Sequence, residues 1–212
     1  MDGALPLDLK RINKSLFTAS ANIPVFVDVP GQQYLMIDGA GDPNKAPAFN
    51  KAIEALYGVA YGLKFALKRL VPPQDFVVMP LEGLWWADDM TAFNAAQRDQ
   101  WRWTLMIMLP DFVRQIDVTE ALAGLRHRKP DAAIDGLRLE RWTEGPSVQV
   151  LHVGPFDAEA LTIRKLHQYV AAQGRTMRGK HHEIYLSNMQ RTAPEKLKTI
   201  LRQPVASRTP AD

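Results

Sequence analysis

The chain has 212 residues, 46% of them hydrophobic and 23% charged, with 26 Lys and Arg against 23 Asp and Glu for a formal net charge of +3. These proportions belong to a globular domain with enough apolar material for a core, and they exclude a disordered or fibrous chain. The small positive excess does not demand a nucleic-acid partner, and the absence of cysteine removes thiol nucleophiles, thiolate metal sites and disulfides.

Residues 1–22 read as a leader with scattered charges (Asp8, Lys10, Arg11, Lys14) and no continuous apolar stretch, so no secretory signal is expected. No apolar run approaches a membrane span, and a cytoplasmic location follows as the expectation. Val25–Val29 and Gln33–Ile37 flank Pro30-Gly31 and predict a β-hairpin. The Gly39-Ala40-Gly41 loop lacks the third glycine and the lysine of a phosphate loop, and reads as a turn. From Pro47 to Leu70 the residues Phe49, Ile53, Leu56, Ala60, Leu63, Leu67 and Leu70 make one apolar helical stripe, ended by Pro72-Pro73. Two strands follow, 76–87 (interrupted at Pro80) and 101–109, with a short helix expected after Thr91 between them. Residues 117–129 predict a helix whose basic last turn, Arg126 to Lys129, complements the helix dipole.

The second half repeats this plan. Strands at 137–143 and 147–153 flank Glu144-Gly145-Pro146 as another predicted hairpin. Asp157 is placed to cap a helix reaching Ala172, with Phe156 and Leu161 as a hydrophobic staple and Gly174 as its stop. A strand at 181–187 comes next. Thr192-Ala193-Pro194-Glu195 has the form of a capping box, predicting a closing helix with Leu197, Ile200 and Leu201 on one side, and a tail from residue 205. The expected fold is therefore α+β. It has two pseudo-symmetric modules (about 23–112 and 130–204, joined by the 117–129 helix), a curved antiparallel sheet with helices on one face, and a ligand cleft at the seam.

Strand alternation puts His181, Glu183 and Tyr185 on one face and Ile184 with Leu186 on the other, leaving His181 at a rim. Two readings of that face stand side by side: the solvated side of a sheet, or a carboxylate and a phenol in a cleft. Glu82, Leu84 and Trp86 share a face opposite Trp85, and Trp101 shares one with Trp103. Tryptophan is most often a packing residue, yet four in two neighbouring strands suit a groove that stacks a planar or cationic aromatic ligand beside a carboxylate. No third ligand at a recognised spacing joins His181 and Glu183, so neither metal nor cofactor is implied. Without a G-x-S-x-G elbow, hydrolysis would use a carboxylate to activate water.

Pro30–Pro43 (PGQQYLMIDGAGDP), Pro80–Trp86 (PLEGLWW), Trp101–Phe112 (WRWTLMIMLPDF), His181–Ser187 (HHEIYLS) and Arg191–Pro204 (RTAPEKLKTILRQP) together resemble the GyrI-like small-molecule-binding family over nearly the whole chain. The resemblance implies two strand-helix-strand-strand modules. It makes Glu183 the key acidic residue and Tyr185 its aromatic neighbour, the two expected catalytic residues. Trp86 and Trp103 are expected as stacking walls, with Trp101, Trp85, Glu82 and Tyr34 as further ligand contacts. Its stand-alone members resemble cyclopropanoid hydrolases and its relatives include effector domains of multidrug-responsive regulators. The implied function is binding and hydrolytic detoxification of planar aromatic or cyclopropane-bearing molecules, with Glu183 as general base. Two alternatives remain at this level: a non-catalytic binder or sensor of cationic aromatic drugs, and a protein-interaction module acting on DNA gyrase. The expected partner is a small aromatic or cationic ligand, with no direct DNA binding and no membrane. A gyrase or regulator partner, and monomer or dimer, stay open.

Overall fold

A computed structural model describes residues 5–88 and 95–206. The elements in chain order are α1 (Leu9–Ile12), β1 (Val25–Val29), β2 (Gln32–Ala40), α2 (Pro47–Leu67), β3 (Leu81–Trp86), β4 (Arg102–Leu109), α3 (Gln115–Arg128), β5 (Arg138–Trp142), β6 (Gly145–Val153), α4 (Glu159–Ala172), β7 (His181–Tyr185) and β8 (Lys198–Pro204). The fold is α+β with antiparallel strands, and the chain divides into two compact units.

The first unit takes in Gln32–Leu81 and Trp86–Trp142, together with the chain up to Ile12. Its central strand is β2, whose Tyr34 to Ile37 are buried in succession and need a partner on each side. β4 and β5 supply them, with Gln33 opposite Leu109 and Gln32 opposite Trp142. α2 lies against β2 and β4 and buries Ala52, Ala55, Leu56, Val59, Ala60, Leu63 and Leu67; of the predicted stripe Phe49 and Ile53 are half-buried, and Leu70, past the helix end, is 44% exposed. α3 packs on α2 where Gly58 leaves room, since a Cβ there would stand 3.0 Å from a Leu125 methyl carbon.

The second unit takes in Asn13–Gly31, Glu82–Trp85 and the chain from Thr143. β8 runs between β6 and β7; β6 also pairs with β1, and β7 with β3. α4 covers one face of these strands, packing Leu166 and Val170 on Val148, Val150, Leu201 and Val205. On the opposite face, Leu16 and Phe17 are buried, and the carbonyls of Ser15 and Thr18 accept from the Gln149 side chain, 2.8 and 3.0 Å away.

Several local expectations are corrected. Neither predicted hairpin forms: β1 pairs with β6, while β2 and β5 pair with each other. Turn residues permit a reversal, but they do not choose the partner of a strand whose apolar faces are better buried elsewhere. The closing helix is a strand, β8, because Thr199 to Pro204 are buried in succession, as a strand covered on both faces requires. Its apparent capping box opens only a 3-10 turn over Pro194–Lys196. α4 begins with a 3-10 turn at Phe156–Ala158 instead of an Asp157 side-chain cap, and Leu161 is 71% exposed, so no staple forms. Gly174 does stop the helix, at a φ of 63°. Of the helix expected after Thr91, residues 95–100 form a 3-10 turn and the rest lies outside the described residues. Of the expected tail, Val205 is a buried core residue, and residues 207–212 lie outside the described residues.

Candidate functional site

The site lies within the second unit, on the α4 side of β7 and β3. Antiparallel pairing sets Gly83 opposite Glu183 and Trp85 opposite His181. Side chains of Trp85, His181, Glu183 and Tyr185 therefore share one face. A directed hydrogen-bond chain runs through Trp85, Tyr185 and Glu183. The Trp85 indole N–H donates to the Tyr185 hydroxyl at 3.2 Å, and that hydroxyl donates to Glu183 Oε2 at 2.7 Å. Burial pushes the Tyr185 phenol well above its ordinary pKa, and the charge of Glu183 and the hydrogen bond to it push further the same way. The phenol thus stays protonated and remains a donor. Its role is to hold one oxygen of Glu183 in place.

Gly83 makes this geometry feasible. A Cβ there would stand 2.8 Å from Trp85 Nε1 and 3.1 Å from the Tyr185 hydroxyl. Gly83→Ala is expected to separate the indole from the phenol and to cost about 1–3 kcal/mol, as overpacking of a buried site does. Chemical denaturation measures the loss, and the near-ultraviolet signal of Trp85 and Tyr185 reports the separation.

Sequence reasoning does not single out Glu159. It opens α4, is only 6% exposed, and one carboxyl oxygen, Oε1, is buried with no hydrogen-bond partner. Burial raises its pKa to about 9, helped by the charges of Glu183 and Asp157, while a hydrogen bond from Thr199 works in the opposite direction. That shift favours the neutral acid at Glu159, which is electrostatically linked to Glu183. An acidic residue in the first turn of a helix looks like dipole compensation in sequence, so nothing local marks it. Phe156, 39% exposed, meets the Tyr185 ring edge-on with centroids 5.8 Å apart and supplies an apolar wall.

His181, expected at a rim, is buried, with Nε2 3.5 Å from Glu183 Oε1. Glu82 belongs to the same unit but turns to the opposite face of β3, where its Oε2 is 3.0 Å from His182 Nε2. Trp86, Trp101, Trp103 and Tyr34 belong to the first unit. Trp103 is buried there, pressed over Gly39, where a Cβ would stand 2.0 Å from its ring, with the Phe49 ring edge-on at 5.3 Å. Trp103 is 1% exposed, so it packs in the core of the first unit. Tyr34 is equally buried, edge-on to Trp142 at 6.1 Å. Trp101 carries the Arg98 guanidinium 5.5 Å from its ring, and Trp86 is half-buried. Among the described residues no cluster of three or more His, Cys, Asp or Glu is placed to hold a metal ion. Among them, too, no helix is long and apolar enough to cross a membrane.

Residues 24–206 match the model of the GyrI-like small molecule binding domain. The chain belongs to that family. It is similar to an uncharacterized conserved protein from Listeria innocua, at 39% identity over 94% of this chain and 100% of that one, with a TM-score of 0.87. It is also similar to a protein described as a hydrolase from Listeria innocua, at 38% identity over 95% of this chain and 100% of that one, with a TM-score of 0.85. The C-terminal domain of EcmrR shares the fold, with a TM-score of 0.56 at 13% identity over 87% of this chain and 97% of that domain. No curated protein sequence matches the chain at a significant level.

Proposed function

We propose that this small-molecule-binding domain hydrolyses electrophilic aromatic compounds bearing a strained cyclopropane ring. Glu183 would take a proton from water and Glu159 would deliver one to the substrate. The observation that carries this reading is the pairing of two carboxyl groups in unlike surroundings. Glu183 is held by a phenol donor, whereas Glu159 is kept neutral by burial and by the charge of Glu183.

The step balances without a cofactor. Water oxygen bonds to a ring carbon as Glu183 removes its proton. The ring C–C bond breaks, and its electron pair moves onto the acceptor group conjugated with the ring. That group takes the proton of Glu159. The two carboxyls then exchange a proton through solvent to reset. Tyr185 keeps Glu183 aimed, and the half-exposed Phe156 offers apolar surface to an aromatic body. The 38%-identical Listeria innocua protein described as a hydrolase supports the same reading.

The half-exposed Phe156, set against the Tyr185 ring whose hydroxyl donates to Glu183, also favours a second reading, in which Glu183 balances the charge of a bound aromatic cation and nothing is turned over. One experiment separates them. Wild type and Glu183→Gln are incubated with a cyclopropane-bearing aromatic compound and, separately, with a cationic dye, read by mass spectrometry and fluorescence. Hydrated product from wild type and none from Glu183→Gln supports hydrolysis. Dye binding that is lost in Glu183→Gln, with no product from either protein, supports the binder.

A further inference from the structure

Behind Glu183, on the other face of β7, lies a second polar cluster that the proposed chemistry does not use. His182 Nδ1 stands 3.1 and 3.0 Å from the two oxygens of Glu144, and its Nε2 stands 3.0 Å from Glu82 Oε2. Glu144 Oε2 also accepts from Arg202 Nη1 at 3.2 Å. Arg202 directs its other donors to Gln149 Oε1, at 3.0 and 2.9 Å, and to the Leu16 carbonyl at 2.6 Å. All four ionisable side chains are buried. The groups facing His182 are thus Glu82 from β3, Glu144 from the turn before β6, and Arg202 from β8. Residues 15–18 contribute backbone carbonyls behind Arg202 and Gln149.

A carboxylate only accepts hydrogen bonds, so Nδ1 carries a hydrogen to meet a Glu144 that already accepts from Arg202. The Nε2–Glu82 contact holds a proton as well, and one of two atoms owns it. Ownership by nitrogen sets two carboxylates against two cations, the arrangement a dry interior tolerates. Burial alone would push the His182 pKa down, but the charge of Glu144 and the hydrogen bonds His182 makes to Glu144 and Glu82 overcome it, and the net direction is up.

We infer that His182 is a buried imidazolium that ties β3 to β7 from behind and positions Glu183 and Trp85 on the front face. The Glu82–His182 bond crosses the same strand pair that sets Gly83 opposite Glu183. It therefore fixes the register through which the Trp85 indole reaches Tyr185. His182 is a positioning residue, one strand position from the site and on the opposite side of the sheet. Its stabilising effect is fully present below the ordinary histidine pKa of about 6.5 and is lost as pH rises through the higher folded value.

Nitrogen NMR of the full chain labelled at its five histidines tests the protonation directly from pH 6 to 9. One ring is expected to keep protons on both nitrogens above the ordinary histidine pKa of about 6.5, and that signal should vanish in Glu82→Gln, whose amide donates to a neutral imidazole. Every ring losing its second proton at or below about pH 6.5 overturns the assignment. Positioning has its own readout: amide exchange at Gly83 in β3 and Glu183 in β7 should quicken about tenfold in Glu82→Gln while β8 keeps its protection. Unchanged local exchange, with only a lower unfolding midpoint, reduces the cluster to packing and overturns the positioning role. Should Glu82→Gln not fold, Glu82→Asp keeps the charge, shortens the reach and gives the same exchange test. A fall in turnover of the cyclopropane-bearing compound is expected as well. That arm rests on the hydrolytic reading, and the NMR result stands whether or not turnover is seen.

Discussion

Glu159→Gln is expected to stabilise the protein by about 3–4 kcal/mol at pH 7 while it abolishes or severely slows hydrolysis. The folded chain keeps the Glu159 proton up to about pH 9, whereas an unfolded glutamate releases it near pH 4.3. Between those values folding takes up a proton, so stability falls as pH rises, by at most about 1.4 kcal/mol per unit. Glutamine has no proton to lose there, and its carbonyl can still accept from Thr199. Urea denaturation of both proteins at pH 5, 7 and 9 checks this: the two should converge at pH 5 and diverge towards pH 9. A variant that is less stable throughout would mean that Glu159 is held as a paired carboxylate. Turnover moves the other way, because an amide cannot supply a proton to the opening ring. Opposite signs for stability and activity are what a strained acid at a working site predicts.

Arg202→Met is expected to cost about 3–5 kcal/mol, a large share of the roughly 5–15 kcal/mol that holds a domain together. Methionine fills much of the volume but leaves Glu144 with one cation and the Leu16 carbonyl without its donor. A buried acceptor stripped of its partner incurs the full desolvation penalty. The segment around Leu16 should detach first, since Arg202 and Gln149 hold its carbonyls. Limited proteolysis should therefore cut near residues 15–18 in Arg202→Met and spare wild type. A loss below about 1 kcal/mol would show that the cluster adds little beyond its packing.

What is legible in the sequence follows the periodicities. The four- and three-residue steps of Leu56, Ala60, Leu63 and Leu67 report a helix face burying one stripe, and α2 forms there. The two-residue alternation of β7 likewise puts Glu183 and Tyr185 on one side. Alternation also divides Trp85 from Glu82, but it does not say which side joins which neighbour. Pairing of β3 with β7 decides that, bringing Trp85 to Tyr185 and sending Glu82 to His182. Partner choice is non-local, and for the same reason both expected hairpins dissolve into pairings with distant strands. β8 passes for a helix because burial on both faces erases alternation, and an apolar run after a capping motif then has a helix's pattern. Glu159 and His182 are invisible for a different reason. Their chemistry comes from burial and from charges contributed by remote segments, and neither residue carries a motif.

Product formed in heavy-oxygen water tests the hydrolytic role of Glu183 most directly. Wild type, Glu183→Gln and Glu159→Gln are each mixed with a cyclopropane-bearing aromatic compound in water labelled with oxygen-18, and the products are weighed. Ring-opened product carrying one labelled oxygen is expected from wild type, with rates about 100-fold or more lower in Glu183→Gln. Labelled product formed equally fast by wild type and Glu183→Gln would contradict that role, as would recovery of the compound unchanged from wild type.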